Sequence, residues 1–154
     1  MRRGEDEQPA SWQAPLRTDK REDGMEVINH IEIGVTDVAA SRRFYEAALA
    51  PLGLSLVVSI DPERTRHGTA RYGFGRDGYP SIWIHGEAGP GRAIHIAFTA
   101  ASHDRVDAFH TAALANGGSD NGPPGIRTRY HPRYYAAFVL DPDGNNIEAV
   151  CQSG

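Results

Sequence analysis

Residues 29–53 read NHIEIGVTDVAASRRFYEAALAPLG, and residues 94–118 read IHIAFTAASHDRVDAFHTAALANGG. Aligned without a gap, at an offset of 65 residues, the two stretches are identical at eight of 25 positions. About two identities are expected from average composition. The alignment places His30 on His95. A repeat of this size indicates two copies of one supersecondary unit.

The first copy has the pattern of a strand, a helix and three further strands. A β-rich run spans residues 27–35, and Thr36 or Asp37 is a suitable N-cap for a helix that ends near Ala50. Turn-forming segments then separate short runs that are typical of strands. These expected strands are Leu54–Ile60, Thr69–Phe74 and Tyr79–His85.

The second copy repeats this order. Ala93–Thr99 is the expected first strand, and Ser102 is a suitable N-cap for a helix through about Asn116. A long turn-rich segment follows, and a hairpin is expected around the turn that begins at Asp141. The expected later strands are Gly125–Tyr130, Tyr134–Leu140 and Asn145–Cys151. The sequence therefore predicts an α+β fold of two βαβββ modules, at about residues 25–88 and 91–154.

Alternation along the strands predicts which side chains share a face. In the first strand, Ile31 and its alternate neighbours face the helix, so His30 and Glu32 take the other face. The same counting places His95 and Glu148 on the face that the second helix leaves open. Two such curved sheets facing each other would form a cleft between the modules. A pair of histidines with one carboxylate in such a cleft predicts a divalent metal ion.

Composition excludes several other classes of function. The formal net charge is −4, so nucleic acid is not attracted electrostatically. The single cysteine, Cys151, cannot form an internal disulfide, and no apolar run approaches the length of a membrane span. Residues 1–24 carry five basic and six acidic residues without an apolar segment typical of a secretory signal. We expect a cytoplasmic domain at residues 25–154 that does not bind membranes, preceded by a disordered extension.

The sequence resembles the vicinal oxygen chelate superfamily, which includes glyoxalase I, bleomycin-resistance proteins, fosfomycin-resistance proteins and extradiol dioxygenases. The resemblance covers about residues 27–152 and is carried by NHIEIGVTDVAASRRFYEAALAPLGL, AIHIAF and YYAAFVLDPDGNNIEAVC. It implies paired modules that curl into a cleft, with metal ligands on the first and last strands of each module. The matching positions are His30, Trp83, His95 and Glu148.

Trp83 departs from the four-ligand pattern of glyoxalase I because an indole cannot ligate a metal. Glu32 is an unproven substitute. The remaining three positions resemble the pattern of the extradiol dioxygenases and fosfomycin-resistance enzymes, which leaves coordination sites open for substrate oxygens. His30, His95 and Glu148 would suit Fe(II), Mn(II), Ni(II) or Zn(II), and the sequence does not choose among these ions.

Other residues are candidates for catalysis and for substrate contact. The segment HPRYYAAFVLDPDGNNIE partly matches the extradiol signature, but Phe138 stands where that signature has an acid-base tyrosine. His131 is the leading candidate proton carrier, with Tyr134 and Glu32 as alternatives. Trp83, Tyr72 and Phe138 are expected to form an aromatic wall for a small-molecule substrate. Arg127 and Arg129 are either solvated or attract an anionic substrate.

Two hypotheses about function remain at this point. One is a metal-dependent enzyme, dioxygenase-like or lyase/isomerase-like, acting on a small molecule that chelates the ion. The alternative is a metal-free binding protein of the bleomycin-resistance type. The resemblance also implies a homodimer, in which the modules pair either within one chain or between two chains.

Overall fold

The computed structural model describes residues 30–65, 67–86 and 94–152. The expected extension at residues 1–24 lies outside these ranges. The first module contains β1 (Ile31–Gly34), α1 (Val38–Leu49), β2 (Ser55–Ile60), β3 (Arg71–Arg76) and β4 (Tyr79–His85), with 3-10 turns at Ala50–Leu52 and Pro62–Arg64. The second contains β5 (His95–Thr99), α2 (His103–Ala115), β6 (Ser119–Ile126), β7 (Tyr135–Leu140) and β8 (Asn146–Cys151).

Each module forms a four-stranded mixed sheet with the same order. The first sheet has the order β1-β4-β3-β2 and the second β5-β8-β7-β6. In each sheet the first strand pairs in parallel with the last, and the other pairings are antiparallel. Glu32 lies opposite Trp83, and Ala97 lies opposite Glu148. The α+β prediction and the βαβββ repeat are therefore confirmed, and Trp83 and Glu148 occupy equivalent positions.

Both helices begin where the sequence places a capping side chain. Asp37, rather than Thr36, caps α1, and its carboxylate accepts a hydrogen bond from the Ala40 N–H at 2.9 Å. Ser102 caps α2. The inward faces of the helices then cover one side of each sheet, which leaves the opposite side open.

The sixth strand differs from the expectation. It spans Ser119–Ile126, whereas the sequence predicts Gly125–Tyr130. The segment contains Pro123 and Pro124 and pairs with β7 through two register shifts, on either side of Gly122. Proline is tolerated here because β6 is an edge strand and the bulges accommodate residues that cannot donate to the ladder. The prediction was wrong because this strand lacks alternating apolar residues.

The two modules are joined through their helices and through the β7–β8 turn. Helix α1 packs on α2, and both contribute to one hydrophobic core. Tyr45 of α1 donates a hydrogen bond at 2.7 Å to the buried carboxylate of Asp141, and the Thr36 N–H donates to the Asp143 carboxylate at 3.1 Å. The joint therefore lies on the helix side of the sheets, and the open faces remain available for a site.

None of the helices in the described part of the chain is long and apolar enough to span a membrane.

Candidate metal and ligand site

The second module brings His95 and Glu148 together on its open face. His95 is the first residue of edge strand β5, and Glu148 lies in the neighbouring strand β8. Their Nε2 and Oε2 atoms are 3.1 Å apart, with the Glu148 side chain 3% exposed and that of His95 48% exposed. The pair thus presents an accessible imidazole beside a buried carboxylate.

Tyr134 contacts the other oxygen of the same carboxylate. Its hydroxyl donates a hydrogen bond to Glu148 Oε1 at 2.7 Å. Burial, and then the hydrogen bond to Glu148, raises the pKa of Tyr134 to about 12. Among the described residues, no lysine or arginine forms an ion pair with Glu148. The buried carboxylate therefore has a neighbour at each oxygen, the Tyr134 hydroxyl at one and the His95 imidazole at the other.

A cavity of about 460 Å³ opens in front of the pair. All of its lining residues belong to the second module. The lining consists of His95, Asn121, Gly122, Arg127, Arg129, Tyr130, Tyr134, Phe138, Asn146 and Glu148. Phe138, one of the expected wall residues, lies opposite Glu148 in the β7–β8 ladder. The volume is within the range of small-molecule sites.

His30 is not part of this group within one chain. It is exposed, directly before β1, and does not line the cavity. In residues 30–65, 67–86 and 94–152, no three histidine, cysteine, aspartate or glutamate side chains converge closely enough to hold a metal ion. The expected set of His30, His95 and Glu148 is therefore assembled only as the His95–Glu148 pair.

Glu32 lies on the open face of the first sheet, as expected, but with partners of its own. Its carboxylate accepts a hydrogen bond from Arg71, and the His85 Nε2 lies 3.9 Å from its second oxygen. The residues of the second sheet at the equivalent positions are Ala97, Ala136 and Val150. This polar cluster is thus specific to the first module, and Glu32 does not line the cavity.

The expected aromatic wall is not formed as a unit. Trp83 is 3% exposed and packs across Gly73, where an added Cβ would lie 3.1 Å from the indole. Tyr72, one residue along β3, faces the helix and lies under the Arg42 guanidinium at 4.8 Å. Since adjacent strand residues point to opposite faces, Tyr72 and Trp83 cannot line one pocket. Phe138 alone of the three expected wall residues lines the cavity.

His131 is also outside the cavity lining. It is exposed in the turn before β7, and its Nδ1 accepts a hydrogen bond from the Arg133 N–H at 3.1 Å. Tyr134 lines the cavity and contacts Glu148 directly. Of the expected proton carriers, Tyr134 is therefore the one that the structure brings to the candidate site.

Sequence reasoning missed two asparagines of the cavity. Asn121 donates a hydrogen bond to the side chain of Asn146 at 3.1 Å, which links β6 to β8. Asn121 was missed because β6 was placed too late in the sequence. Asn146 carried a signal, since it lies two residues before Glu148 and therefore on the same strand face.

The fold and the sequence both match known proteins. Residues 27–149 match the model of the Glyoxalase/Bleomycin resistance protein/Dioxygenase superfamily. A glyoxalase/bleomycin resistance protein from Albidiferax ferrireducens is 30% identical, with a TM-score of 0.63, over 83% of this chain and 100% of that one. No curated protein is significantly similar to the chain.

More distant structures share the fold. A glyoxalase-related enzyme from Fulvimarina pelagi is 19% identical over 82% of this chain and 88% of that one, with a TM-score of 0.58. Glyoxalase I from Zea mays is 19% identical over 80% of this chain and 43% of that one, with a TM-score of 0.55. The family match and the 30% identity together identify the family. The chain belongs to the glyoxalase/bleomycin resistance protein/dioxygenase superfamily.

Proposed function

We propose that this protein is a metal-dependent enzyme of the vicinal oxygen chelate type, acting on a small molecule that binds the ion through adjacent oxygens. One observation carries the proposal. The Nε2 atom of a half-exposed histidine lies 3.1 Å from an oxygen of a buried carboxylate, and both residues line one cavity. His95 and Glu148 are the chain's own donors, and their imidazole nitrogen and carboxylate oxygen suit Fe(II), Mn(II), Ni(II) or Zn(II).

The residues fit such an ion, and within the described part of one chain two of the three proposed donors lie together. The close approach of the two donor atoms and the burial of the carboxylate are both consistent with two ligands of one ion. When bound, the metal would supply Lewis-acid polarisation of the substrate oxygens. Glu148 is held in place by the Tyr134 hydroxyl, an outer interaction of the kind that orients metal ligands.

Tyr134 is the proposed proton-handling group. Its hydroxyl is protonated at neutral pH, as an ordinary phenol is, and burial and the hydrogen bond to Glu148 raise its pKa further, to about 12. It lines the cavity, so its hydroxyl oxygen can accept a hydrogen bond from a bound substrate while its own proton stays on Glu148. Tyr134 lies four residues before Phe138, and Phe138 is the position at which the extradiol signature has its tyrosine.

The third donor is proposed to be His30 of a second copy of the chain. His30 and His95 are equivalent in the repeat, and each stands at the start of an edge strand. The principal contacts between the two modules of one chain are made on the helix side. The open faces can therefore pair between copies, and a homodimer would contain two equivalent sites.

Metal binding tests the proposal. The purified protein is stripped with a chelator, dialysed against each of the four ions, and analysed for bound metal by mass spectrometry. The wild type is expected to bind one ion per chain, and His95→Ala and Glu148→Ala are expected to lose it. His110→Ala is the matched control, because His110 contacts Asp120 at 2.9 Å in a pair that does not line the cavity.

Absence of a bound ion in the wild type would contradict the enzyme proposal and favour the metal-free binding protein. Binding that survives both His95→Ala and Glu148→Ala would move the metal site elsewhere. If an ion is bound at the proposed site, oxygen uptake with Fe(II) and a panel of neutral and carboxylated catechols separates dioxygenase chemistry from the other reactions.

A further inference from the structure

Two arginines line the same cavity as the candidate metal ligands. Arg127 and Arg129 follow β6 in the segment that leads to β7, and both border the cavity. Glu148 is the only carboxylate among the cavity-lining residues, and it is already in contact with His95 and Tyr134. The cavity thus has two guanidinium groups and one carboxylate, whose oxygens already contact His95 and Tyr134.

The Arg127 guanidinium is held in a defined position. It lies over the Phe138 ring with 5.5 Å between its Cζ atom and the ring centroid, and it donates a hydrogen bond to the Pro123 carbonyl. Glycines make room for it, because a Cβ at Gly122 or Gly125 would lie 3.4 or 3.1 Å from its terminal nitrogens. The guanidinium therefore lies close to the glycines of β6, on the face that carries Phe138.

Arg129 is fixed by a tyrosine. Its Cζ atom lies 4.7 Å from the centroid of the Tyr130 ring, and Nη2 donates to the Tyr130 hydroxyl at 2.9 Å. The Tyr130 ring is in turn 5.1 Å from that of Tyr134, whose hydroxyl reaches Glu148. Arg129 thus belongs to the chain of contacts that ends at the candidate metal ligand.

Among the described residues, neither guanidinium has an acidic partner. Each guanidinium donates one hydrogen bond, to a neutral oxygen, and neither forms an ion pair with a described residue. A guanidinium has five N–H donors in a planar fork that matches carboxylate and phosphonate oxygens. Four of the five donors of each guanidinium therefore have no hydrogen bond to a described residue, and both arginines line the cavity.

We infer that the cavity selects a small anionic molecule, whose carboxylate or phosphonate group is bound by Arg127 and Arg129. This inference rests on the proposed function for the position of the reacting oxygens, which would lie at His95 and Glu148. It does not require the metal for recognition of the acid group. The substrate class is then a small organic acid with neighbouring oxygens, rather than a neutral carbonyl compound or a neutral catechol.

The test uses two matched probes, 2-hydroxybenzoate and 2-hydroxybenzamide, which have similar shapes and differ in charge. Binding to the full-length protein is measured by calorimetry after removal of metal, and again after loading with Mn(II). The anion is expected to bind about tenfold or more tightly than the amide, the effect of one charge-assisted hydrogen bond. The difference should shrink as salt is added.

Substitutions assign the preference to the arginines. Arg127→Gln with Arg129→Gln should reduce the difference between the probes to about twofold or less, and Arg127→Lys should retain part of it. Arg43→Gln is the matched control, because Arg43 is an exposed arginine of α1 outside the cavity lining. Circular dichroism checks that each variant is folded.

Equal affinities for the two probes would overturn the inference, and so would a preference that survives the double substitution. The inference would also be overturned if neither 2-hydroxybenzoate nor phenylphosphonate bound to the protein in the millimolar range. Failure of the proposed function looks different. If no metal binds while the arginine-dependent preference persists, the enzyme proposal fails and the anion site stands.

Discussion

The contact between Tyr45 and Asp141 gives a sharp prediction about how the two modules are held together. Tyr45 is fully buried in α1 and Asp141 is 4% exposed at the start of the β7–β8 turn. The phenol donates to Asp141 Oδ2 at 2.7 Å. The same carboxylate accepts hydrogen bonds from the side chain and backbone of Asn145. Tyr45→Phe removes one donor from a buried carboxylate and leaves the aromatic ring in place.

The expected cost follows from burial. A hydrogen bond to a charged group contributes about 1.5–3 kcal/mol, and water cannot replace the lost donor at a buried site. Tyr135 offers a matched control, because its hydroxyl donates to Asp107 at the same 2.7 Å, but in an exposed pair. Water can replace that donor, so Tyr135→Phe should cost less than about 1 kcal/mol.

Urea denaturation followed by circular dichroism measures both variants. For an m-value of roughly 1–3 kcal/mol/M, Tyr45→Phe should lower the unfolding midpoint by about 1 M, with the m-value unchanged. Equal midpoints for Tyr45→Phe and Tyr135→Phe would refute the reasoning, because burial would then make no difference. A lower m-value in Tyr45→Phe alone would instead indicate that the modules unfold separately.

Three further predictions concern protons, the carboxylate and the second copy. Burial, and then the negative charge of Asp141, raises the pKa of Tyr45. The contribution of Tyr45 to stability is therefore complete below its unfolded pKa of about 10 and is lost as pH rises, because only the unfolded state then releases the proton. In urea denaturation, Tyr45→Phe should lose less stability than the wild type between about pH 9 and 11. Tyr134→Phe should weaken metal affinity about tenfold in equilibrium dialysis, because it removes the hydrogen bond that orients Glu148; unchanged affinity would deny Tyr134 this role. One tagged chain carries His30→Ala and a second, differently tagged chain carries Glu148→Ala, and neither should bind metal alone. A heterodimer of the two should regain half of the wild-type metal, because one of its two sites is intact. No recovery would contradict a site shared between copies.

Much of the fold was accessible from local patterns. The capping side chains Asp37 and Ser102 marked the helix starts, and the gapless repeat fixed the equivalence of the modules. Strand alternation then placed His95 and Glu148 on one face, because the period of two leaves no other choice once the helix-facing residues are known. The structure agrees, with the two side chains in contact.

Other features depend on register and association, which the local sequence does not determine. The face of Tyr72 is set by its pairing with Ile84 across β3 and β4. That pairing includes a register shift at Phe74–Gly75, and a shift of one residue reverses the face. Strand β6 was misplaced because it is held by its partner strand rather than by its own propensity. The proposed meeting of His30 with His95 and Glu148 would depend on association between two chains.

A crystal structure of the protein soaked with Zn(II), with anomalous data collected at the zinc edge, tests the central claim most directly. We predict one strong anomalous peak per chain, about 2.0–2.2 Å from His95 Nε2 and from a carboxylate oxygen of Glu148, with His30 of a second copy as the third protein ligand. A peak at the Glu32 and His85 pair instead, or no peak at a fully accessible His95, would contradict the account.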